Sequence, residues 1–335
     1  MFTTLKTLCS ISSVSGRENA IRTKLTELIS PLADEVYTDA LGNLIAKKNG
    51  SASDAKNIIL CAHMDEIGFL VTFIEDDGFI RIAPVGGINS AAAAYSEVVS
   101  EGGVRGLIVP NDDVKAADYA LNKFYIDIGA KNKKEAERKV AIGDFFVCRP
   151  ALTRLIGQKV CGRPLDDRIG CAVLLKIAEH FATTTPKNNL YYVFSVQEEV
   201  GCRGAKTAAF GIGADYGLVF DVTGTGDVPG AKPMACKVSG GAAIKIKDNS
   251  VICDKTVVDT LIELSKENKI SHQCEILTYG GTDTSAIQMT GSGAAVGALS
   301  IPTRYIHSST EMLDLSDANA CVDLAVKFVE KIQRT

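Results

Sequence analysis

The fold is decided by residues 190–201, which read LYYVFSVQEEVG. The first five residues are apolar and aromatic, which predicts a buried strand, and the acids Glu198 and Glu199 follow the end of that strand. A lone pair of acids in this position is more often part of a solvated loop. Two carboxylates beside a buried strand are, however, costly to leave unpaired, and α/β proteins bind ligands at the carboxyl ends of their strands. The rest of the chain decides between these interpretations.

The composition is that of a globular protein with no strong bias. The chain has 335 residues, of which 46% are hydrophobic and 23% charged. Its formal net charge of −4 argues against nucleic acid or an anionic membrane as a partner. The ten cysteines include no Cys-x-x-Cys pair, and the N-terminus lacks the apolar region of a secretory signal. We therefore expect reduced thiols, a cytoplasmic location and no membrane association.

Two other apolar runs also end in ionisable residues. Residues 57–62, NIILCA, lead into His63 and Asp65, and residues 216–220, YGLVF, lead into Asp221. Continuous apolar runs are typical of parallel strands that are buried on both faces. Because such strands share one carboxyl edge, these groups should lie close to Glu198 and Glu199.

Two further sites join this set. Asp166 and Asp167 precede an amphipathic helix predicted over residues 167–181, where an aspartate also suits the N-cap. His307 follows a strand predicted over residues 294–299. Each residue alone has an ordinary structural explanation, but their joint occurrence at successive strand ends favours a functional site.

The chemistry of this set indicates metal binding. Two imidazoles and several carboxylates suit zinc, cobalt or manganese better than magnesium or calcium. An excess of carboxylates over histidines also fits two metal ions that share a bridging carboxylate. Such a pair can activate a water molecule for hydrolysis.

The order of apolar runs and amphipathic stretches along the chain predicts an α/β fold with a doubly wound, mostly parallel sheet. A small β-rich domain of barrel or PDZ-like type is expected to be inserted into the chain. Residues 1–66 and 162–335 should form the catalytic domain, and residues 67–161 the inserted domain. Ser15 and Glu18 have capping-box spacing at the start of an early helix. A helix is also predicted over residues 131–139, and a last one over residues 315–332.

Several motifs resemble the tetrahedral/glutamyl aminopeptidase family of dinuclear metallopeptidases. They are AHMDEIGF at residues 62–69, LDDRIG at 165–170, QEEVG at 197–201, GGTD at 280–283 and IPTRYIHS at 301–308. Residues 126–130, IDIGA, and 142–144, IGD, resemble the same family within the insertion. The resemblance runs from about residue 5 to the C-terminal helix.

This resemblance implies a metal ligand for each of five residues. Asp166 would bridge two divalent ions, with zinc the first expectation and cobalt or manganese the alternatives. His63 and Asp221 would complete one metal site, and Glu199 and His307 would complete the other.

The resemblance also implies the catalytic groups. Glu198 would be the general base and acid, acting on a metal-bridging water that is the nucleophile. Asp65 would orient the His63 imidazole. The Asp166–Asp167 peptide bond would be cis, as in the family.

The implied protein is a cytoplasmic metallo-aminopeptidase that removes N-terminal residues from short peptides. The inserted domain would take part in homo-oligomerisation, and the family's dodecamer is the reference for the assembly. Three alternatives stay open: a related metal-dependent deacylase or dipeptidase, a glycan hydrolase, and a non-catalytic scaffold on the same fold. A deacylase or dipeptidase would need a cation for a substrate carboxylate, and Arg304 is the nearby candidate.

Overall fold

The computed structural model describes residues 1–332, whose strands form an eleven-stranded sheet and a separate closed barrel of six strands. The strands of the large sheet are β1 (Glu35–Thr38), β2 (Leu44–Lys48), β3 (Asn57–His63), β10 (Ala151–Arg154), β11 (Lys159–Arg163), β12 (Asn189–Ser195), β13 (Tyr216–Thr223), β14 (Ala242–Lys247), β15 (His272–Ile276), β16 (Ala295–Arg304) and β17 (Glu311–Asp314). The strands of the barrel are β4 (Gly68–Ile74), β5 (Ile80–Val85), β6 (Glu97–Ser100), β7 (Arg105–Pro110), β8 (Phe124–Asp127) and β9 (Phe145–Cys148).

Helices cover both faces of the large sheet. The α-helices are α1 (Phe2–Cys9), α2 (Asn19–Ile29), α3 (Ser90–Ala93), α4 (Lys133–Ala136), α5 (Arg168–Phe181), α6 (Arg203–Ile212), α7 (Lys255–Glu267), α8 (Asp283–Gln288) and α9 (Leu315–Ile332). Short 3₁₀ segments lie at Ser30–Leu32, Ala116–Asp118 and Leu121–Lys123. Helix α5 packs on α9, and α6 packs on α8. None of the helices within residues 1–332 combines the length and hydropathy needed to cross a membrane.

The centre of the large sheet is parallel, in the order β12-β3-β13-β16, and antiparallel strands extend it on both sides. Residues 58–62 of β3 are fully buried, as their continuous apolar sequence predicts. The register of β12 on β3 places Ser195 beside His63. Parallel pairing therefore brings the ends of these strands, and the polar residues that follow them, to one edge. The predicted doubly wound α/β class is confirmed.

The barrel has a hydrophobic core of its own, which includes Phe69, Ile80, Phe124 and Phe146. Its strands lie between Gly68 and Cys148, whereas β10 and β11 pair within the large sheet. The β-rich inserted domain is thus confirmed in kind. Its predicted limits, residues 67–161, and its role in oligomerisation stay predictions.

Two local predictions are wrong. The side chain of Glu18 stands at the N-cap of α2 but caps no helical N–H, and it accepts from Gly16 N at 2.7 Å. Ser15 Oγ donates to Asp65 Oδ2 at 2.6 Å, so tertiary contacts replace the expected capping box. The charged stretch at residues 131–139 forms only the single turn α4, because little of it is buried to stabilise a longer helix.

Candidate active site

A cavity of about 680 Å³ opens at the carboxyl edge of the parallel strands. Its lining includes all five predicted metal ligands and the predicted base, namely His63, Asp166, Glu198, Glu199, Asp221 and His307. They come from separate parts of the chain, and the sheet brings them together as the strand ends predict. Asp65 is fully buried next to His63.

Asp166 lies between the two histidines. Its Oδ1 is 3.1 Å from His63 Nε2, and its Oδ2 is 3.2 Å from His307 Nε2. His307 Nε2 is also 3.2 Å from Glu199 Oε2, and His63 Nε2 is 3.9 Å from Asp221 Oδ1. This placement suits a carboxylate that bridges two ions. The cis peptide bond expected between residues 166 and 167 is present.

The donor atoms form two overlapping groups in which all ligand atoms lie within 4.8 Å of one another. One group contains His63, Asp166 and Glu199, and the other contains His63, Asp167 and Asp221. Asp167 belongs to the ionisable set read from the sequence, with a helix N-cap as the alternative role, and its Oδ1 does accept from Gly170 N at 3.0 Å. The assignment of each ligand to one ion stays a prediction.

The electrostatics of the cavity are dominated by buried acids. Burial raises the pKa of Glu198 and Asp221 well above the usual carboxyl range, and burial together with Asp166 raises the pKa of Glu199. Burial opposes ionisation of Asp166 too, but hydrogen bonds with His307 and His63 hold its pKa below the ordinary value. Burial also works against a charged His307, yet Asp166 and Glu199 raise its pKa to about 11.

These observations fit a metal site. Four acids and two imidazoles face one cavity, and among residues 1–332 the single Lys or Arg in its lining is Arg304. Asp167 Oδ2 is buried without a hydrogen-bond partner in the described part of the chain. Divalent cations would neutralise this excess of negative charge, and the mixed nitrogen and oxygen donors suit zinc, cobalt or manganese.

Asp65 connects the two strand ends that carry the site. Its backbone oxygen and its Oδ1 lie 3.2 and 3.4 Å from His63 Nδ1. The same Oδ1 accepts from Glu198 N at 3.0 Å, and Oδ2 accepts from Glu199 N at 3.3 Å and from Ser15 Oγ. Asp65 therefore contacts the imidazole of His63 and holds the backbone of the Glu198–Glu199 pair. Its role in orienting that imidazole stays a prediction.

Sequence reasoning missed Glu311, which supports the opposite side of the site. Its Oε2 accepts from the backbone N–H groups of Leu165 and Asp166 at 2.7 and 3.1 Å, and its Oε1 accepts from His307 N at 3.3 Å. Burial raises the pKa of Glu311 to about 7, although Arg163 opposes the shift. The signal in the sequence was a single acid that opens a short apolar strand, which is too weak to identify alone.

Sequence reasoning also missed Cys202, and it quoted Asp283 only as part of a motif. Cys202 lines the cavity with its Sγ 3.2 Å from Glu198 Oε1. Asp283 is 1% exposed, and its Oδ2 accepts from Ser195 Oγ. Neither residue carried a recognisable metal or catalytic spacing.

The parallel-centred α/β sheet with a barrel inserted in the chain is shared with aminopeptidases of known structure, so the class of this protein is that of a peptide hydrolase. The chain belongs to the M42 glutamyl aminopeptidase family, whose model matches residues 42–324. The resemblance to tetrahedral/glutamyl aminopeptidases is thus confirmed.

Individual relatives agree with this assignment. The chain is 44% identical to an Acetivibrio thermocellus protein named "Putative aminopeptidase", and the match covers 98% of both chains. An aminopeptidase from the archaeon Desulfurococcus kamchatkensis superposes with a TM-score of 0.93 at 34% identity, covering 98% of this chain and 94% of that one. The TET1 peptidase of Pyrococcus horikoshii, described as assembling into a tetrahedron or a large octahedral shell, gives a TM-score of 0.89 at 32% identity with 98% of both chains covered.

Proposed function

We propose that this peptide hydrolase is a dinuclear metal-dependent aminopeptidase that removes N-terminal residues from short peptides. The observation that carries the proposal is the position of Asp166 between His63 and His307, with Glu198 on the same cavity wall. Family membership supports the peptidase activity, and the ligand geometry supports the dependence on two metals.

In this proposal Asp166 would be shared by the two ions. His63 and Asp221 would hold one ion with it, and Glu199 and His307 would hold the other. When bound, two divalent ions would polarise the scissile carbonyl and lower the pKa of a water molecule. Zinc is our first expectation, and cobalt or manganese would suit the same donors.

Glu198 is proposed to move the proton. It faces the cavity, and none of the hydrogen bonds in the described structure ties it to an imidazole, whereas Glu199 contacts His307. Burial raises the pKa of Glu198, which favours proton uptake. Glu198 would take a proton from the attacking water and deliver it to the leaving amine, while Asp65 keeps the strand end in place through Glu198 N.

The position of Arg304 favours an aminopeptidase over a deacylase or dipeptidase that must hold a substrate carboxylate. Its Nε and one terminal nitrogen donate to Asp227 at 3.0 and 2.6 Å, so the guanidinium is already paired with a carboxylate. Arg304 is the one Lys or Arg in the cavity lining within residues 1–332. Because it is already paired with Asp227, neither a free lysine nor a free arginine of the lining is available to hold a substrate carboxylate.

We also propose a homo-oligomer in the cytoplasm. The barrel exposes apolar side chains, and Phe73, Tyr95 and Ile142 are each at least half exposed. Such side chains are suited to subunit contacts. All ten cysteines are free, in agreement with a reducing compartment. Light scattering at several protein concentrations would give the subunit count, and a monomer at every concentration would contradict the oligomer.

The proposed activity is tested with protein that has been stripped of metal and reconstituted separately with zinc, cobalt or manganese. Each preparation is assayed on a panel of aminoacyl chromogenic substrates and on their N-acetylated counterparts. We expect hydrolysis of substrates with a free amine, activity that reaches its maximum at two ions per chain, and little hydrolysis of the acetylated forms.

Preferential hydrolysis of the acetylated substrates would support the deacylase alternative. Activity on β-glucan that survives chelation would support a glycosidase, which uses two carboxylates without metal. Protein that binds two ions per chain and hydrolyses none of the substrates would support the scaffold alternative.

A further inference from the structure

The proposed base Glu198 has a neighbouring thiol whose chemistry the aminopeptidase reaction does not use. Cys202 Sγ lies 3.2 Å from Glu198 Oε1, at the start of α6, and both side chains line the cavity. A third donor in the same place is Asp283, at the start of α8. The ligand atoms of Glu198, Cys202 and Asp283 all lie within 4.8 Å of one another.

Only one of the two carboxylate oxygens of Asp283 has a hydrogen-bond donor within residues 1–332. Its side chain is 1% exposed, and Oδ2 accepts from Ser195 Oγ and lies 3.6 Å from Cys61 Sγ. Its Oδ1 is buried and has no hydrogen-bond partner within residues 1–332. A buried carboxylate oxygen without a donor is costly, and a cation next to it would supply the missing interaction.

We propose that Glu198, Cys202 and Asp283 form a third metal site that takes a thiophilic divalent ion such as Zn²⁺ or Cd²⁺ and inhibits the enzyme. One sulfur and two carboxylates favour these ions over Mg²⁺ or Ca²⁺, which prefer oxygen ligands alone. The site differs from the proposed catalytic pair because none of His63, Asp166, Glu199, Asp221 and His307 provides sulfur.

Binding needs no oxidant or reductant. The two acids bind as carboxylates and Cys202 binds as a thiolate, so the thiol proton and any proton held by the acids are displaced by the metal and released to solvent. Bonds then join the metal to sulfur and to the carboxylate oxygens. Because Cys202 lines the open cavity, the ion can reach the site from the substrate side.

Occupation of this site would remove the base from the reaction. A metal bound to the Glu198 carboxylate occupies one of its oxygens and lowers the pKa of the group, so Glu198 becomes a poorer acceptor for the proton of the attacking water and the rate should fall as the site fills. This inhibitory consequence rests on the proposed function of Glu198, whereas the binding of the ion does not.

The test uses full-length enzyme whose catalytic sites are first saturated with their metal. Cd²⁺ is then titrated while near-ultraviolet sulfur-to-cadmium charge-transfer absorbance and the aminopeptidase rate are followed together. The variants are Cys202→Ser, Asp283→Asn and, as the matched control, Cys274→Ser, which removes the exposed cysteine of β15. Rates are normalised to each variant's own rate without Cd²⁺, so basal differences do not enter.

In the wild type we expect a charge-transfer absorbance that saturates at one Cd²⁺ ion bound to sulfur per chain and that rises in parallel with inhibition. Cys202→Ser should lose the band and need a Cd²⁺ concentration higher by about tenfold or more for half inhibition. Asp283→Asn should weaken both effects, and Cys274→Ser should leave both unchanged.

Three results would overturn the proposal. One is a wild type that shows no band at concentrations that inhibit. Another is a band that survives in Cys202→Ser, and the third is inhibition of equal strength in Cys202→Ser and the wild type. If the enzyme has no peptidase activity at all, the band and its loss in Cys202→Ser still decide whether the site exists, and the failure lies with the proposed function.

Discussion

Two buried clusters of charge lie next to each other in this molecule, and only one of them is balanced. Behind the cavity, Arg163 and Arg168 lie near Glu66 and Glu311, with nitrogen–oxygen distances of 3.5–3.9 Å. The cavity itself has four acids and only two imidazoles as partners. This difference in charge balance indicates a structural role for the first cluster and a ligand-binding role for the second.

Two cations with two anions compensate one another's desolvation and hold the backbone near residues 163–168 in place. The cavity acids lack such compensation, because within residues 1–332 the single Lys or Arg in the cavity lining is Arg304, which pairs with Asp227. Structure alone would not retain so unfavourable a cluster. The imbalance is therefore the physical argument that the cavity is built to bind cations.

Metal removal should have the largest effect. Dialysis against a chelator should abolish peptide hydrolysis, because the cavity then lacks the charge that it is arranged to hold, and added metal should restore it. Thermal unfolding with and without metal should show stabilisation of about 2.7 kcal/mol for each bound ion when the free metal is about 100 times the dissociation constant of that ion. Full activity in protein with no detectable metal would contradict the argument.

Glu198→Gln should leave the metal content unchanged and lower kcat about 10²- to 10⁴-fold, the usual contribution of a general base. Steady-state kinetics and metal analysis of the same preparation would measure both. Glu263→Gln on the exposed side of α7 is a matched control with the same chemical change. An unchanged kcat in Glu198→Gln would exclude the proposed proton transfer.

Removing one charged group from each cluster should affect the stability of the metal-free protein differently. Arg168→Met leaves Glu66 buried with less compensation and should lower the free energy of unfolding by about 3–5 kcal/mol. Asp221→Asn removes one acid from the unbalanced cavity and should leave that free energy unchanged or raise it. Urea unfolding in the presence of chelator measures both variants.

Equal destabilisation by Arg168→Met and Asp221→Asn would show that the two clusters do not differ in the way proposed. With metal present, Asp221→Asn should instead weaken metal binding, which a competition titration with a chromogenic chelator would detect.

The smallest expected effect concerns the substrate's first side chain. Leu277, Val222 and Val228 line the cavity, and Asp227 pairs with Arg304, so a neutral side chain should be preferred over glutamate by about tenfold in kcat/KM. Asp227→Asn should free Arg304 and improve the glutamyl substrate relative to the leucyl one. A wild type that prefers glutamyl substrates would show that a group other than Arg304 neutralises the side-chain carboxylate of the substrate.

The α/β class, the existence of the β-rich insertion and the residues that gather in the cavity were all predictable from the amino-acid sequence. Apolar periodicity is local, and parallel strands bring their carboxyl ends to one edge, so the residues after each strand predicted the position of the site. The last helix has the bounds that its local apolar periodicity predicts, Leu315–Ile332.

The hydrogen-bond partners that hold the cavity residues in place could be identified from the tertiary structure alone. Ser15 binds Asp65 across 50 positions of the chain, and Glu311 binds Leu165 N across 146. The capping-box spacing at Ser15 was misleading because a side chain makes whichever hydrogen bond the folded surroundings offer. Partners this far apart are chosen by the packing of the whole sheet, and no local spacing encodes that choice.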